Sequence, residues 1–269
     1  MAKILLIETA TEVCSAAIAV EGQVVALAED LQQPNHTARL TLLIDACVKQ
    51  AGMPLSSLDA VAVSRGPGSY TSLRTGASVA KGICYALDKP LIAVDTLLAL
   101  AWAGLRITDC GLRINPALGM DAKRENEALT KGWVNPQSAI RNPQSVIFIP
   151  MLDARRQEVW TAAYNAHLVE IVPPQPLILQ HDLFEIFLQT VAEKSTGQVF
   201  VISGNGVKKI GSELIGENVV IGNIKNCSAL HLAGPAEIFY QKGDFQDISY
   251  FSPSYMKLPN ITTPNKPLF

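Results

Sequence analysis

The segment SRGPGSYTSLRTG, residues 64–76, joins a short apolar stretch to the start of a helical pattern. It predicts a buried strand, a tight turn and a helix in succession. Its glycines, Gly66 and Gly68, let the backbone turn sharply and leave N–H groups at the helix start, where an anion can bind. The Walker pattern GxxxxGK[ST] is absent, and purely structural turns look similar, so both roles stay open. The candidate loop residues are Arg65, Gly66, Pro67, Gly68, Ser69, Tyr70, Thr71 and Arg74.

Around this loop, the first half of the sequence alternates between apolar strands and amphipathic helices. Three strands come first, and Glu21 with Gly22 suits a hairpin turn between the second and third, so we expect an antiparallel opening. Helices with i, i+3, i+4, i+7 apolar spacing then alternate with buried strands, as in parallel sheet units. The predicted strands are residues 4–7, 14–20, 23–28, 60–63 and 91–94, and the predicted helices are 37–51, 69–87 and 96–105.

The second half returns to a hairpin pattern and then becomes shorter. Asp182 with Glu185 forms a capping pattern for one helix, and Pro235 should kink or split the last one. The predicted strands are residues 146–152, 158–164, 199–202 and 219–221, and the predicted helices are 183–191, 207–215 and 228–242. Two related αβ halves, the second abbreviated, predict the actin-like, sugar-kinase-like and Hsp70-like ATPase superfold of the α/β class.

Residues 106–145 fit neither half. They are polar, contain three prolines, and carry the near-tandem repeat NPQSAI (135–140) and NPQSVI (142–147). We interpret them as an inserted, disordered excursion between an N-terminal subdomain, residues 1–105, and a C-terminal subdomain, residues 146–269. A loop of this length without periodicity is otherwise unusual in a compact domain.

The composition limits the possible functions. A hydrophobic fraction of 48% and a charged fraction of 17% are typical of a soluble globular protein, and the net charge of −2 supplies no overall field for a phosphate backbone. The N-terminus lacks the apolar core of a signal peptide, and the apolar stretch over residues 91–105 is too short to span a bilayer. Five dispersed cysteines without a CxxC pair fit reduced thiols, so we expect a cytoplasmic protein without a membrane partner.

With its flanks, the loop segment SRGPGSYTSLRTGASVAKGICYALDKPLIAVDTLLALA resembles the GPGSFTGLRIG region of the bacterial TsaB family and its TsaD relatives. The resemblance extends to LLIETATEVCSAAI at the start, to NHTARLTLLIDACVKQAG, to IPMLDARRQEVWTAAY, and to PSYMK, where the family commonly has Tyr-Leu-Arg. It covers most of the sequence except residues 106–145.

The resemblance implies a non-catalytic subunit of the tRNA threonylcarbamoyladenosine machinery. Such a subunit binds its catalytic paralogue TsaD, together with the ATPase TsaE, or pairs with a second copy of itself. The complex transfers a threonylcarbamoyl group to the adenosine beside the anticodon of tRNAs that read ANN codons. On this basis we expect no catalytic residue, no cofactor of its own, nucleotide binding only at or with the partner complex, and tRNA contact only through that complex.

The helices over residues 37–51 and 69–87 are the candidate partner surface. The second is rich in small residues, which permit close approach of another helix, and the first supplies larger apolar side chains. The two can pack against an equivalent pair from another subunit or in the core of this chain, and the resemblance implies the former. The expected interface residues are Leu40, Leu43, Ile44, Cys47, Leu73, Gly76, Ala77, Ala80 and Cys84.

Two enzymatic alternatives belong to the same superfold. A metal-dependent, glycoprotease-like enzyme needs a HxxxH pair on the first long helix, but Leu40 stands where the second histidine would follow His36. The remaining histidines lie in unrelated contexts, so we expect no metal site. An ATP-dependent small-molecule kinase needs a phosphate-holding hairpin and an acidic group, for which Glu8 and Asp153 are candidates, but the first hairpin lacks the usual glycine.

Overall fold

A computed structural model describes residues 2–31, 35–109, 146–195, 199–211 and 218–256. The predicted excursion over residues 106–145 therefore lies outside the described residues from position 110 onward. The strands are β1 (Lys3–Glu8), β2 (Cys14–Val20), β3 (Gln23–Asp30), β4 (Ala60–Gly66), β5 (Leu91–Asp95), β6 (Val146–Asp153), β7 (Glu158–Asn165), β8 (Glu170–Ile178), β9 (Val199–Ser203) and β10 (Val219–Ile221). The α-helices are α1 (His36–Ala51), α2 (Tyr70–Leu87), α3 (Thr96–Asp109), α4 (His181–Glu193) and α5 (Ala233–Lys242).

The two five-stranded sheets repeat one topology. The first has the order β3-β2-β1-β4-β5 and the second the order β8-β7-β6-β9-β10. In each, hairpin-connected strands pair antiparallel, and the strands reached by longer crossovers pair parallel, as those connection lengths require. This duplicated order confirms two related αβ halves and the predicted superfold.

The first half agrees closely with the pattern in its sequence. Glu21 (φ 51°) and Gly22 (φ 72°) occupy the left-handed region, which fits a two-residue hairpin turn between β2 and β3. The Asn35 side chain accepts the Ala38 N–H at the start of α1, and Gly52 ends that helix at φ 63°. Both α1 and α2 bury their apolar stripes against one face of the first sheet.

The second half departs from prediction at three places. Strand β8 was not predicted because Pro173, Pro174 and Pro176 interrupt the pattern; it lies at the sheet edge, where missing N–H donors are tolerated. Helix α4 begins at His181 with Gln180 at its N-cap, so Asp182 lies in the first turn and not at the cap position where it was predicted. The helix predicted over residues 207–215 is a 3₁₀ helix, Asn205–Lys209, and residues 212–217 lie outside the described ranges.

The subdomain boundaries also differ from those predicted. Helix α3 continues past residue 105 to Asp109 and contacts the cores of both sheets. The last predicted helix, residues 228–242, splits near Pro235 into a 3₁₀ helix, Ala229–Leu232, and α5. Both pieces cover the second face of the first sheet. Residues 229–256 therefore belong structurally to the first half. None of the helices in the described ranges combines the length and apolarity that a membrane crossing requires.

Candidate functional site

The glycine-rich loop packs directly on the first hairpin turn, residues 9–13. The Ser69 N–H donates to the Ala10 carbonyl at 2.7 Å. A Cβ at Gly68 would lie 2.7 Å from the Ala10 Cβ, closer than carbon atoms can approach, so only glycine permits this contact. The space beside Gly68 and the Ser69 N–H are therefore used by the chain itself and are closed to an anion.

The first hairpin turn also satisfies its own N–H groups. The Ala10 N–H donates to Glu8 Oε1 at 2.6 Å, and the Thr9 N–H lies 3.4 Å from the Ser64 hydroxyl. Glu8 is fully buried, and burial raises the pKa of its carboxyl to about 7, although the Ala10 N–H and the Ser64 hydroxyl oppose that rise. The Ser64 hydroxyl and the Glu8 carboxyl thus occupy two N–H donors of the turn that a phosphate would otherwise use.

The second hairpin turn, residues 154–157, has a different electrostatic character. Asp153 is partly exposed and forms ion pairs with Lys208 at 3.0 Å and with Lys209. Partial burial disfavours its charge, but hydrogen bonds from Lys209 and Lys208 outweigh burial and hold the pKa of Asp153 at about 2. Asn205 accepts the Asp153 N–H and donates to Glu12 at 3.2 Å, which connects the two turns across the halves.

The outward side of the glycine-rich loop carries aromatic and cationic groups. Tyr70 stacks on Tyr255, with ring centroids 4.5 Å apart, and Arg74 donates to the Tyr70 hydroxyl at 3.1 Å. The Ser254 N–H donates to the Arg65 carbonyl at 2.7 Å. Gly66 has φ 108° and abuts the Ser254 backbone. Of the predicted loop residues, the exposed ones are Arg65, Ser69, Tyr70, Thr71 and Arg74, the buried ones are Gly66 and Pro67, and Gly68 is half-buried.

The predicted interface side chains do not lie on the surface. The apolar stripes of α1 and α2 face the first sheet, because a stripe with helical spacing buries itself against whichever apolar surface is nearest. They are unavailable to a partner in the folded chain, and their assignment to an interface is corrected. The nine buried residues are Leu40, Leu43, Ile44, Cys47, Leu73, Gly76, Ala77, Ala80 and Cys84.

The opposite faces of the same helices are exposed and partly apolar. Leu42 on α1 is 58% exposed and Tyr85 on α2 is 82% exposed. Gly82 is also exposed on α2, three residues before Tyr85, and an added Cβ there would meet nothing within 4 Å among the described residues. By contrast, Gly76 on the same helix is required by the close approach of the Thr9 side chain. The sequence analysis counts Gly82 among the small residues of this helix, but the predicted interface residues do not include it.

The histidine that resembles a metal ligand is held in the interior. His36 is buried at the start of α1, with Nε2 3.4 Å from the Val13 carbonyl, and Leu40 is fully buried in the core. Burial lowers the pKa of His231 to about 4. Across the ranges that the structure describes, no three His, Cys, Asp or Glu side chains are grouped closely enough to hold a metal ion.

The chain is similar to known proteins of tRNA threonylcarbamoyladenosine biosynthesis. A family model described as TsaD: tRNA N6-adenosine threonylcarbamoyltransferase matches residues 29–132. The Haemophilus influenzae tRNA threonylcarbamoyladenosine biosynthesis protein TsaB is 38% identical over 104 residues, which are 39% of this chain and 44% of that protein. The Bacillus subtilis protein of the same name is 25% identical over 261 residues, 95% of this chain and 94% of that protein. The chain is thus similar to TsaB proteins over nearly its whole length at low identity.

Solved structures agree on the fold. YeaZ from Pseudomonas aeruginosa superposes with a TM-score of 0.68 at 20% identity, over 95% of this chain and all of that one. The stronger sequence match, to the H. influenzae protein, spans less than half of that relative's length. The similarity to TsaB proteins thus extends over most of the chain at low identity, and the TsaD family model matches a region that contains α1, the glycine-rich loop and α2.

Proposed function

We propose that this chain is a cytoplasmic, non-catalytic binding subunit in tRNA threonylcarbamoyladenosine biosynthesis. In this role it docks on TsaD through the outward faces of α1 and α2, and TsaE and tRNA join the assembly through TsaD. A second copy of the chain occupies the same faces when TsaD is absent. The names of the TsaB relatives and the TsaD family match support the pathway.

Gly82 is the observation that carries the docking surface. Glycine inside a helix costs about 1 kcal/mol relative to alanine, and no contact in the described part of the chain requires it at this position. A helix that approaches from outside does require it, because only a missing side chain lets two helix backbones pack closely. Leu42 and Tyr85 then supply the apolar and aromatic contacts beside the glycine.

The closed first hairpin supports a role without phosphoryl transfer. The N–H groups of Thr9 and Ala10 are already directed at Ser64 and Glu8, and Ala10 fills the space beside Gly68. A phosphate placed there would also approach the Glu8 carboxyl. The chain therefore contributes a surface to the complex rather than a reaction centre.

The test is to replace Gly82 by leucine and to measure binding to TsaD by calorimetry. Because the site is open, Gly82→Leu should leave the unfolding temperature unchanged or higher, while the bulky side chain weakens association at least about tenfold, or roughly 1.4 kcal/mol. Gln189→Leu, at an exposed position of α4, is the matched control and should bind as the wild type does. Wild-type affinity in Gly82→Leu would exclude this surface. A substitution at a predicted interface residue, such as Ala80→Arg, would not test this surface. Ala80 is fully buried, and a charge there would unfold the chain.

A further inference from the structure

A polar groove lies between the glycine-rich loop and the C-terminal segment, residues 246–256. Its volume is about 430 Å³, and its lining includes Arg65, Asp247, Tyr250 and two serines, Ser252 and Ser254. These residues are far apart in the sequence, and the fold alone brings them together. Neither the proposed docking surface nor the hairpin turns use them.

Backbone hydrogen bonds fix the shape of the groove. The Gln246 N–H donates to the Leu91 carbonyl at 2.8 Å, and the Ser254 N–H donates to the Arg65 carbonyl at 2.7 Å. Between these points, Lys81 donates to the Phe251 carbonyl at 3.2 Å. The groove is therefore preformed, which lowers the ordering cost of binding a ligand.

Arg65 and the exposed Tyr250 line the groove, and next to its Ser254 lies Tyr255, whose ring contacts Tyr70. Tyr250 is 85% exposed, and Tyr70 is 50% exposed on the Tyr255 stack. The Arg74 guanidinium lies 5.5 Å from the centre of the Tyr70 ring. Within the ranges that the structure describes, neither Arg65 nor Arg74 forms an ion pair. We call these five residues, Arg65, Tyr70, Arg74, Tyr250 and Tyr255, the tyrosine surface.

We propose that the tyrosine surface and its groove bind an unpaired stretch of RNA. Bases stack on exposed aromatic rings regardless of sequence, and guanidinium groups receive the phosphates. Asp247, inside the groove, would repel a phosphate but accepts a hydrogen bond from a ribose 2′-hydroxyl, which DNA lacks. This goes beyond the proposed function, in which tRNA is held only through the partner complex.

The lining favours RNA over a protein partner. Protein hot spots place an aromatic anchor in a dry pocket, whereas Tyr250 stands in solvent beside polar groups and Phe251 already packs into the core. Asp95 lies within electrostatic reach of Arg65, but its Oδ1 already accepts the Leu97 and Leu98 N–H groups. Both guanidinium groups therefore remain available to phosphates.

The experiment measures anisotropy of a labelled single-stranded RNA of about 12 nucleotides with the purified chain at low salt. Because the net charge of the chain is −2, the expected dissociation constant is weak, on the order of 10⁻⁵ M. DNA of the same sequence and duplex RNA should bind less tightly. Tyr250→Ala should weaken binding about fivefold or more, and Arg74→Gln should weaken it and reduce its salt dependence.

Arg155→Gln, an exposed arginine in the second hairpin turn, is the matched control and should bind RNA as the wild type does. Gly82→Leu should also retain RNA binding, which separates this inference from the proposed docking surface. The inference is overturned if the chain does not bind RNA, or if Tyr250→Ala and Arg74→Gln bind it unchanged. It is equally overturned if these two variants weaken only the association with TsaD, because the surface would then be a protein interface.

Discussion

The two hairpin turns occupy equivalent positions in the two halves, and each follows a strand that ends in an acidic residue. In the first half, Glu8 is fully buried, hydrogen-bonded to the Ala10 N–H, and has its pKa raised to about 7. In the second half, Asp153 is partly exposed, is paired with Lys208 and Lys209, and has its pKa lowered to about 2. At pH 7, the same backbone topology thus supports one carboxyl, Glu8, that is about half protonated and another, Asp153, that is fully ionised.

This difference shows that the two halves of a duplicated fold can share a strand order while their hairpin turns differ in chemistry. Strand order and direction are set by backbone pairing, which both halves retain. The chemistry of each turn depends on a few neighbours: Gly68 and Ser64 close the first turn, while two lysines from a short 3₁₀ helix neutralise the second. Fold class is therefore a poor guide to activity at either turn.

Opening the first hairpin turn should have the largest effect on the free energy of unfolding. Gly68→Ala places a Cβ 2.7 Å from the Ala10 Cβ, and the backbone must shift to relieve that overlap. We expect a loss of about 3 kcal/mol or more in the free energy of unfolding, measured by denaturant titration. The same substitution at Gly82 is the control and should stabilise the chain by up to about 1 kcal/mol. Similar values for the two variants would mean that the first turn is not tightly closed.

Removing the charge of the first turn should alter the pH dependence of stability. The pKa of Glu8 rises from its ordinary value of 4.5 to about 7 on folding, so the folded state binds more protons between these values. Stability should therefore fall as the pH rises through that window. Glu8→Gln lacks this loss, so it should match the wild type near pH 4 and exceed it above pH 7 by at most about 3 kcal/mol. A constant difference across this range would contradict the prediction.

Removing the charge of the second turn should have the smallest effect on stability. It should destabilise the chain, whereas Glu8→Gln should stabilise it. The pKa of Asp153 falls from 3.8 to about 2 on folding, so its contribution is present above pH 3.8 and is lost as the pH falls through about 2. Asp153→Asn should lose about 1 kcal/mol at neutral pH, because solvent screens a partly exposed pair. Thermal unfolding at low and high salt checks this, since salt should shrink the loss. A variant as stable as the wild type at low salt would contradict it.

The sequence predicted the first half well and the second half less well for physical reasons. Caps and glycine turns mark the ends of α1 and the β2–β3 hairpin, and the apolar spacing is regular between them. Strand β8 was missed because its prolines suppress the strand signal, and only pairing with β7 reveals it. The contact of the C-terminal segment with the glycine-rich loop was not predicted for a similar reason, because the Arg65–Ser254 hydrogen bond joins residues that no local pattern relates.

The site was harder to predict than the fold. Helical periodicity correctly located the apolar stripes of α1 and α2, but it cannot tell whether a stripe faces the chain's own sheet or a partner, and here it faces the sheet. The informative residues lie off the stripe, namely Gly82, Leu42 and Tyr85. The tyrosine surface likewise requires the folded chain, since Tyr70 and Tyr255 meet only through the return of the C-terminal segment.

The position of α5 has a consequence for synthesis on the ribosome. Residues 2–109 contain all five strands of the first sheet, yet the 3₁₀ helix Ala229–Leu232 and α5 cover one of its faces. When those strands leave the ribosome, the second half has not yet been translated. The apolar side chains on the face that α5 will cover therefore stay in contact with water until α5 has been made. The earliest part of the chain to be made is therefore among the last to finish folding, and a nascent chain that stalls within the second half presents a surface for chaperones to recognise.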